Sequence, residues 1–176
     1  SSPEARARSM SVEINIASAE YLGEDWTFID CPGSIELAQD ALNVIAIADI
    51  AVLVVEPGAE KAIAATRAMK ELDRAGLPYI LFINKMDGIE ARVKATLEAL
   101  QGLTERPLVL REIPIREGDD VTGHVDLVSE RAYKWSGSGK SDLIEVPGEL
   151  SGRTGEERTL LLETLADFND ELLEQL

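Results

Sequence analysis

Residues 79–87 read Tyr-Ile-Leu-Phe-Ile-Asn-Lys-Met-Asp, and the apolar run that opens this stretch decides the fold class. A strand buried on both faces of a parallel sheet shows such a run, with no polar residue at alternate positions. Residues 50–55 (IAVLVV) form a second run of the same kind. Between them, residues 60–75 have helical spacing, closed by Gly76 and followed by Pro78, the residues that end helices. Residues 89–103 predict another amphipathic helix. Upstream, residues 11–18 (SVEINIAS) and 26–30 (WTFID) predict strands joined by a turn through residues 23–25. Residues 35–47 have the apolar density of a helix, although β-branched Val44, Ile45 and Ile47 weaken it. Strands alternating with helices predict an α/β fold, a mostly parallel sheet flanked by helices.

The rhythm changes after this first unit, residues 1–104. Residues 108–115, 122–127, 132–135 and 143–146 are short strand-like pieces separated by polar turns. A long helix closes the chain, with Thr154 and Glu157 spaced as a capping box. Its stripe of Leu161, Leu165, Phe168 and Leu172 is spaced like a face docked on a sheet. Residues 105–176 therefore predict an α+β sub-domain inserted into, or appended to, the α/β unit.

The 176 residues carry 17 Lys and Arg against 33 Asp and Glu, a net charge of −16. Such a surface repels phosphate backbones and anionic lipid, so free DNA, free RNA and membranes are poor partners. Residues 1–103 hold 9 basic and 16 acidic side chains, and the remainder 8 and 17, so the smaller part is the more acidic. An apolar content of 45% is that of a globular protein. The single cysteine, Cys31, excludes an internal disulfide and, with the single histidine, a zinc-type cluster. It suits a reducing, cytosolic compartment. The longest apolar stretch, residues 44–55, is interrupted by Asp49, and residues 1–8 contain no apolar signal core. No initiator Met is present, so the chain is expected to begin partway through a longer protein.

The chemistry lies at the carboxyl ends of the predicted strands, where open α/β sheets bind ligands. One strand runs into Asp30-Cys31-Pro32-Gly33 and another into Asn84-Lys85-Met86-Asp87. Guanine presents N1–H and an exocyclic amine as adjacent donors, which the Asp87 carboxylate can accept together. Its O6 is an acceptor that Asn84 can satisfy, unless Asn84 instead ties the loop together. Adenine reverses that pattern and is selected against. The stem of Lys85 can cover the base while its ammonium reaches nearby oxygens. Asp30 is placed to hold Mg²⁺. Gly33 offers a backbone N–H to a terminal phosphate with no side chain in the way.

These two motifs resemble the third and fourth signatures of translational GTPases, most of all the elongation factor G branch. Arg8-Ser9-Met10-Ser11 is similar to that family's Arg-Gly-Ile-Thr at the end of the first switch. Residues 113–115, 122–128 and Trp135 resemble its inserted sub-domain, and Phe168-Asn169-Asp170-Glu171-Leu172-Leu173-Glu174 the helix of that insert. The resemblance implies a P-loop-GTPase-like sheet with an inserted α+β sub-domain, GTP or GDP with Mg²⁺, and GTP hydrolysis coupled to ribosome binding. It further implies a monomeric cytoplasmic factor whose acidic insert meets the ribosome through protein. By the same resemblance, Ser11 stands where a threonine hydroxyl binds Mg²⁺.

Ser34 is the departure. The family places there a histidine that orients the attacking water, and serine has no imidazole to do so. Ser34 reads equally as a helix N-cap. The alternative to hydrolysis is a GTP-controlled protein-binding module. His124, on a strand-like segment of the insert, reads as structural. No phosphate loop of the G-x-x-x-x-G-K-[ST] type occurs: Gly139-Lys140-Ser141 mimics its tail, but Lys134 occupies the position of its first glycine. Residues 137–141 therefore read as a hairpin turn. The resemblance puts the true phosphate loop before Ser1 and a fifth motif after Leu176.

Overall fold

The computed structural model describes residues 3–8, 10–86, 92–136 and 139–168. The chain divides into two units, Ser1–Leu53 with Thr66–Phe82, and Val54–Ala65 with Ile83–Leu176.

In the first unit, β1 (Asn15–Tyr21) and β2 (Glu24–Asp30) form an antiparallel hairpin, paired from Asn15↔Asp30 to Tyr21↔Glu24. Leu22 and Gly23 connect them at φ +54° and +82°, as a two-residue type I′ turn demands. The turn therefore precedes the one expected at residues 23–25, because only Leu22-Gly23 supplies two consecutive left-handed residues. β1 also starts later than residue 11. A 3-10 turn (Ile35–Leu37) leads into α1 (Ala38–Ile45). The helix expected over residues 60–75 is divided into α2 (Ala59–Ala62), a 3-10 turn (Ile63–Ala65) and α3 (Thr66–Ala75). At its end Gly76 takes φ +68°. The N–H groups of Gly76 and Leu77 reach the carbonyls of Asp73 and Leu72, each at 3.1 Å, which is a Schellman stop.

β3 (Ala51–Val55) and β4 (Tyr79–Ile83) form a two-stranded sheet, and the division between units passes through both. Ala51 N–H bonds Pro78 O and Asn84 N–H bonds Val55 O, each at 2.9 Å. Bonds that advance together along both strands make the pair parallel, as expected. Burial on both faces is not found: Val52, Val54, Ile80 and Phe82 are each more than half exposed. They occupy alternate positions, so among the described residues each strand has one face that is more exposed than covered.

In the second unit, α4 (Arg92–Gln101) ends in a polar latch. The Gln101 side-chain amide donates to the carbonyls of Thr104 and Arg106 at 3.2 and 3.0 Å and accepts Leu108 N–H at 2.7 Å. The chain then builds an antiparallel sheet from β5 (Glu112–Glu117), β6 (Asp120–Asp126), β7 (Arg131–Trp135) and β8 (Ser141–Ile144). Ile113, Ile115, Val125, Leu127 and Ala132 form a core with Leu161 of α5 (Gly148–Ala166). Val109 and Leu110, expected within a strand, pack on that core from the loop before β5.

Helix α5 begins at Gly148 with Pro147 as its N-cap, seven residues before the expected cap at Thr154, and Leu150 N–H bonds Pro147 O at 2.8 Å in its first turn. Thr154 is thus buried within the helix, its hydroxyl without a hydrogen bond among the described residues, and the capping box does not form. The covered face follows Leu150, Thr154 and Leu161, while Leu165 and Phe168 are exposed. Leu172 lies outside the described residues. Between β7 and β8, Ser136 N–H bonds Lys140 O and Gly139 N–H bonds Ser136 O, each at 3.2 Å, consistent with the expected hairpin turn. Gly137 and Ser138 lie outside the described residues.

Two contacts in this sheet generate predictions. A Cβ at Gly123 would collide with the Tyr133 carbonyl and stand 3.0 Å from Lys134 Cα. Gly123→Ala should lower stability by about 1–3 kcal/mol, read from the urea midpoint. Asp126 pairs with Arg111 and accepts Val128 and Ser129 N–H at 2.8 and 3.2 Å. Burial raises its pKa, but the Arg111 and backbone hydrogen bonds and the Arg111 charge outweigh it, leaving the pKa below the usual value. A depressed folded pKa stabilises above the unfolded pKa and is lost as pH falls through the folded one. Asp126→Asn should therefore lower the Tm at pH 7 and flatten its decline below about pH 4.

Candidate functional site

The first cluster forms where β2 ends. Pro32, without a donor, closes the strand after Asp30. The Asn15↔Asp30 register returns the chain before β1 to the same place. There Ser11 Oγ donates to Asp30 Oδ2 at 2.8 Å. A hydroxyl and a carboxylate side by side are hard oxygen donors. Mg²⁺ sites use one or two protein oxygens of this kind, completed by phosphate and water. Among the described residues no group of three or more His, Cys, Asp or Glu side chains is placed to hold a metal; Ser11 and Asp30 supply two oxygens of the kind a shared site uses. A cavity of about 200 Å³ adjoins Ser11, lined in part by Ala5, Met10 and Asn15.

Gly33 is exposed, and a Cβ there would meet nothing within 4 Å. Its backbone is open to a ligand, but its own fold does not demand glycine. Ser34 contributes its carbonyl, which accepts Leu37 N–H at 3.0 Å and opens the 3-10 turn. The N-cap of α1 is Leu37, with no side-chain hydrogen bond; Ser34 is not that helix's cap, because the intervening turn moves the helix start onward. Cys31 is half-buried, and burial, then the Asp30 and Asp40 charges, push its thiol pKa up. It is no activated nucleophile.

The second cluster forms at the parallel exits of β3 and β4, in the other unit. Asn84 N–H continues the ladder to Val55 O at 2.9 Å. Lys85 follows at φ +56°, a left-handed conformation costing roughly 1–2 kcal/mol for a residue with a Cβ. Its Nζ pairs with the Glu56 carboxylate, and Lys61 Nζ lies 3.5 Å from the same group. The Lys85 hydrogen bond and charge, with Lys61, hold the Glu56 pKa below the usual range against the small effect of burial. Just beyond, buried Thr96 accepts Gly58 N–H at 2.6 Å, with Gly58 at φ +120°. The Met86 carbonyl accepts Arg116 Nη2 at 3.0 Å.

Ser11, Asp30, Gly33 and Ser34 thus belong to one unit, and Asn84 and Lys85 to the other. Asp87 lies outside the described residues. His124 packs on the sheet against Tyr133, ring centroids 5.3 Å apart. Glu56 is absent from the motif reading, because no local pattern marks it. The parallel strands were the available signal: Glu56 follows β3 as Asn84 follows β4. Among the described residues no helix is long and apolar enough to cross a membrane.

A family profile described as the elongation factor Tu GTP binding domain matches residues 1–170. The chain is 40% identical over 176 residues to an elongation factor G-like protein of Synechocystis sp., covering 100% of this chain and 26% of that protein. It is 29% identical over 171 residues to elongation factor G 1 of Borrelia garinii, covering 96% and 25%. A crystal structure of a protein from Thermus thermophilus superposes with a TM-score of 0.86 at 27% identity, over 99% of this chain and 26% of that one. The chain spans about a quarter of the length of the curated relatives it matches.

The Asp30 environment has a chemical reporter next to it. Asp30→Asn removes one of the charges that raise the Cys31 pKa. Iodoacetamide should then alkylate Cys31 faster at pH 8 than in the unmodified protein, as followed by mass spectrometry.

Proposed function

Because the chain belongs to the family of the elongation factor Tu GTP binding domain, with the elongation factor G-like form of the P-loop GTPase fold and its insert, we propose that it binds GTP and GDP with Mg²⁺ and hydrolyses GTP. The geometric observation that carries the reading is the 2.8 Å contact between Ser11 and Asp30, two oxygens suited to a phosphate-bound Mg²⁺. The alternative of a non-hydrolysing binding module draws no support from relatives named as elongation factors.

In this reading residues 1–104 are the central part of the nucleotide domain and 105–176 its inserted sub-domain. Asp87 accepts the guanine N1–H and amine, Asn84 serves O6 or the loop, and the Lys85 stem covers the base. Ser11 and Asp30 would hold Mg²⁺, which when bound neutralises phosphate charge. Gly33 N–H meets the terminal phosphate. Ser11 also ends the first switch, so its order depends on that phosphate, and this is the bistable element that reports nucleotide state. Serine at position 34 contributes a short hydroxyl in place of an imidazole, so water positioning relies more heavily on the bound partner. That partner is the ribosome, met by the acidic insert through ribosomal protein in the cytoplasm, with the factor acting as a monomer.

Single-turnover GTP hydrolysis by the full-length protein, with and without ribosomes, tests the activity. Ribosome-stimulated turnover is expected; its absence would return the reading to a binding module. Ser34→His should raise the rate by about a hundredfold, the usual scale for a positioned acid–base group. Asp87→Asn should weaken GTP binding by about a hundredfold or more and favour xanthine nucleotides. An unchanged GTP preference would remove Asp87 from the site.

A further inference from the structure

One guanidinium joins the β5–β6 hairpin to the backbone that follows β4 at Met86. The β5 register shifts between Ile115 and Arg116, an irregularity of the sort that re-aims the side chain beside it. From there half-buried Arg116 donates from Nη1 to the Asp119 carbonyl and from Nη2 to the Met86 carbonyl, both at 3.0 Å. Met86 stands between Lys85 and Asp87, so the accepting carbonyl belongs to the motif's own backbone. From the other direction Glu56 holds the Lys85 side chain, and Lys85 itself is left-handed. A loop with such a conformation needs external restraint. It receives a carboxylate from the end of β3 and a cation from the insert sheet.

We infer that Arg116 is a positioning residue for guanine-base recognition, coupling the insert's hairpin to the base loop; this rests on the base-site reading proposed above. Its two donors serve two loops at once, which the single ammonium of lysine cannot do in the same geometry. By linkage, a partner that rearranges the hairpin changes nucleotide affinity, and nucleotide changes the partner's affinity by the same factor.

The test uses full-length protein and measures binding and dissociation of GDP and of IDP, which lacks the exocyclic amine. Arg116→Ala should weaken GDP binding by about tenfold, mainly through faster dissociation, and narrow the preference for GDP over IDP. Arg116→Lys should fall between, and it keeps the comparison open if the alanine variant does not accumulate. Glu117→Ala, which removes the 2.5 Å pair with Lys134 in the same hairpin without touching Met86, should leave both quantities unchanged. Wild-type values in Arg116→Ala, or in Arg116→Lys if the alanine variant does not accumulate, would overturn the coupling and spare the base site, as would an equal effect of Glu117→Ala. A wild-type protein that does not prefer GDP to IDP would overturn the base-site reading and this inference with it.

Discussion

The hydrogen bond from Asn84 N–H to Val55 O, 2.9 Å long, is one rung of a parallel ladder, and the placement of Lys85 after β4 depends on it. It sets the register in which the two strands end together. Glu56 therefore leaves β3 beside the point where Lys85 leaves β4, and the ion pair between them follows. A slip of one residue would send every side chain to the other face of the sheet and separate them. An exposed ion pair contributes little stability by itself. Its value here is geometric, because it directs a long side chain that otherwise samples many rotamers.

The other cluster depends on an equally local constraint. The Leu22-Gly23 turn fixes the hairpin register, and seven paired positions later that register aligns Asn15 with Asp30. Ser11 then meets Asp30 across the open end of the hairpin. The register alone brings the two side chains together on a hairpin that is largely exposed.

Element types were legible because periodicity is a local property. The apolar runs at residues 50–55 and 79–84 hold the strands Ala51–Val55 and Tyr79–Ile83, and the polar-punctuated stretch after residue 108 holds an antiparallel sheet. Faces and ends were less legible. The stripe through Leu165 and Phe168 was spaced correctly for docking, yet α5 starts at Gly148 and turns Leu150, Thr154 and Leu161 to the core instead. Helical spacing offers several overlapping stripes, and the sheet against which the helix packs selects one. The more exposed faces of β3 and β4 show the converse: a run of apolar residues states a preference for burial, and only neighbours supply it.

By itself the sequence determined most of the alternation of strands and helices, the acidic net charge, and the two short motifs whose residue types suit the proposed guanine and phosphate chemistry. Those follow from residue type and short spacing, which operate within a few positions of one another. Only the tertiary structure decided that Glu56 holds Lys85 and that Arg116 holds the Met86 carbonyl. These partners lie 29 and 30 residues apart, and each pair meets through strand register and a β-sheet irregularity, neither of which leaves a local periodic mark. Charge and hydrogen-bonding capacity are written along the chain. Which groups exercise them together depends on where the backbone returns.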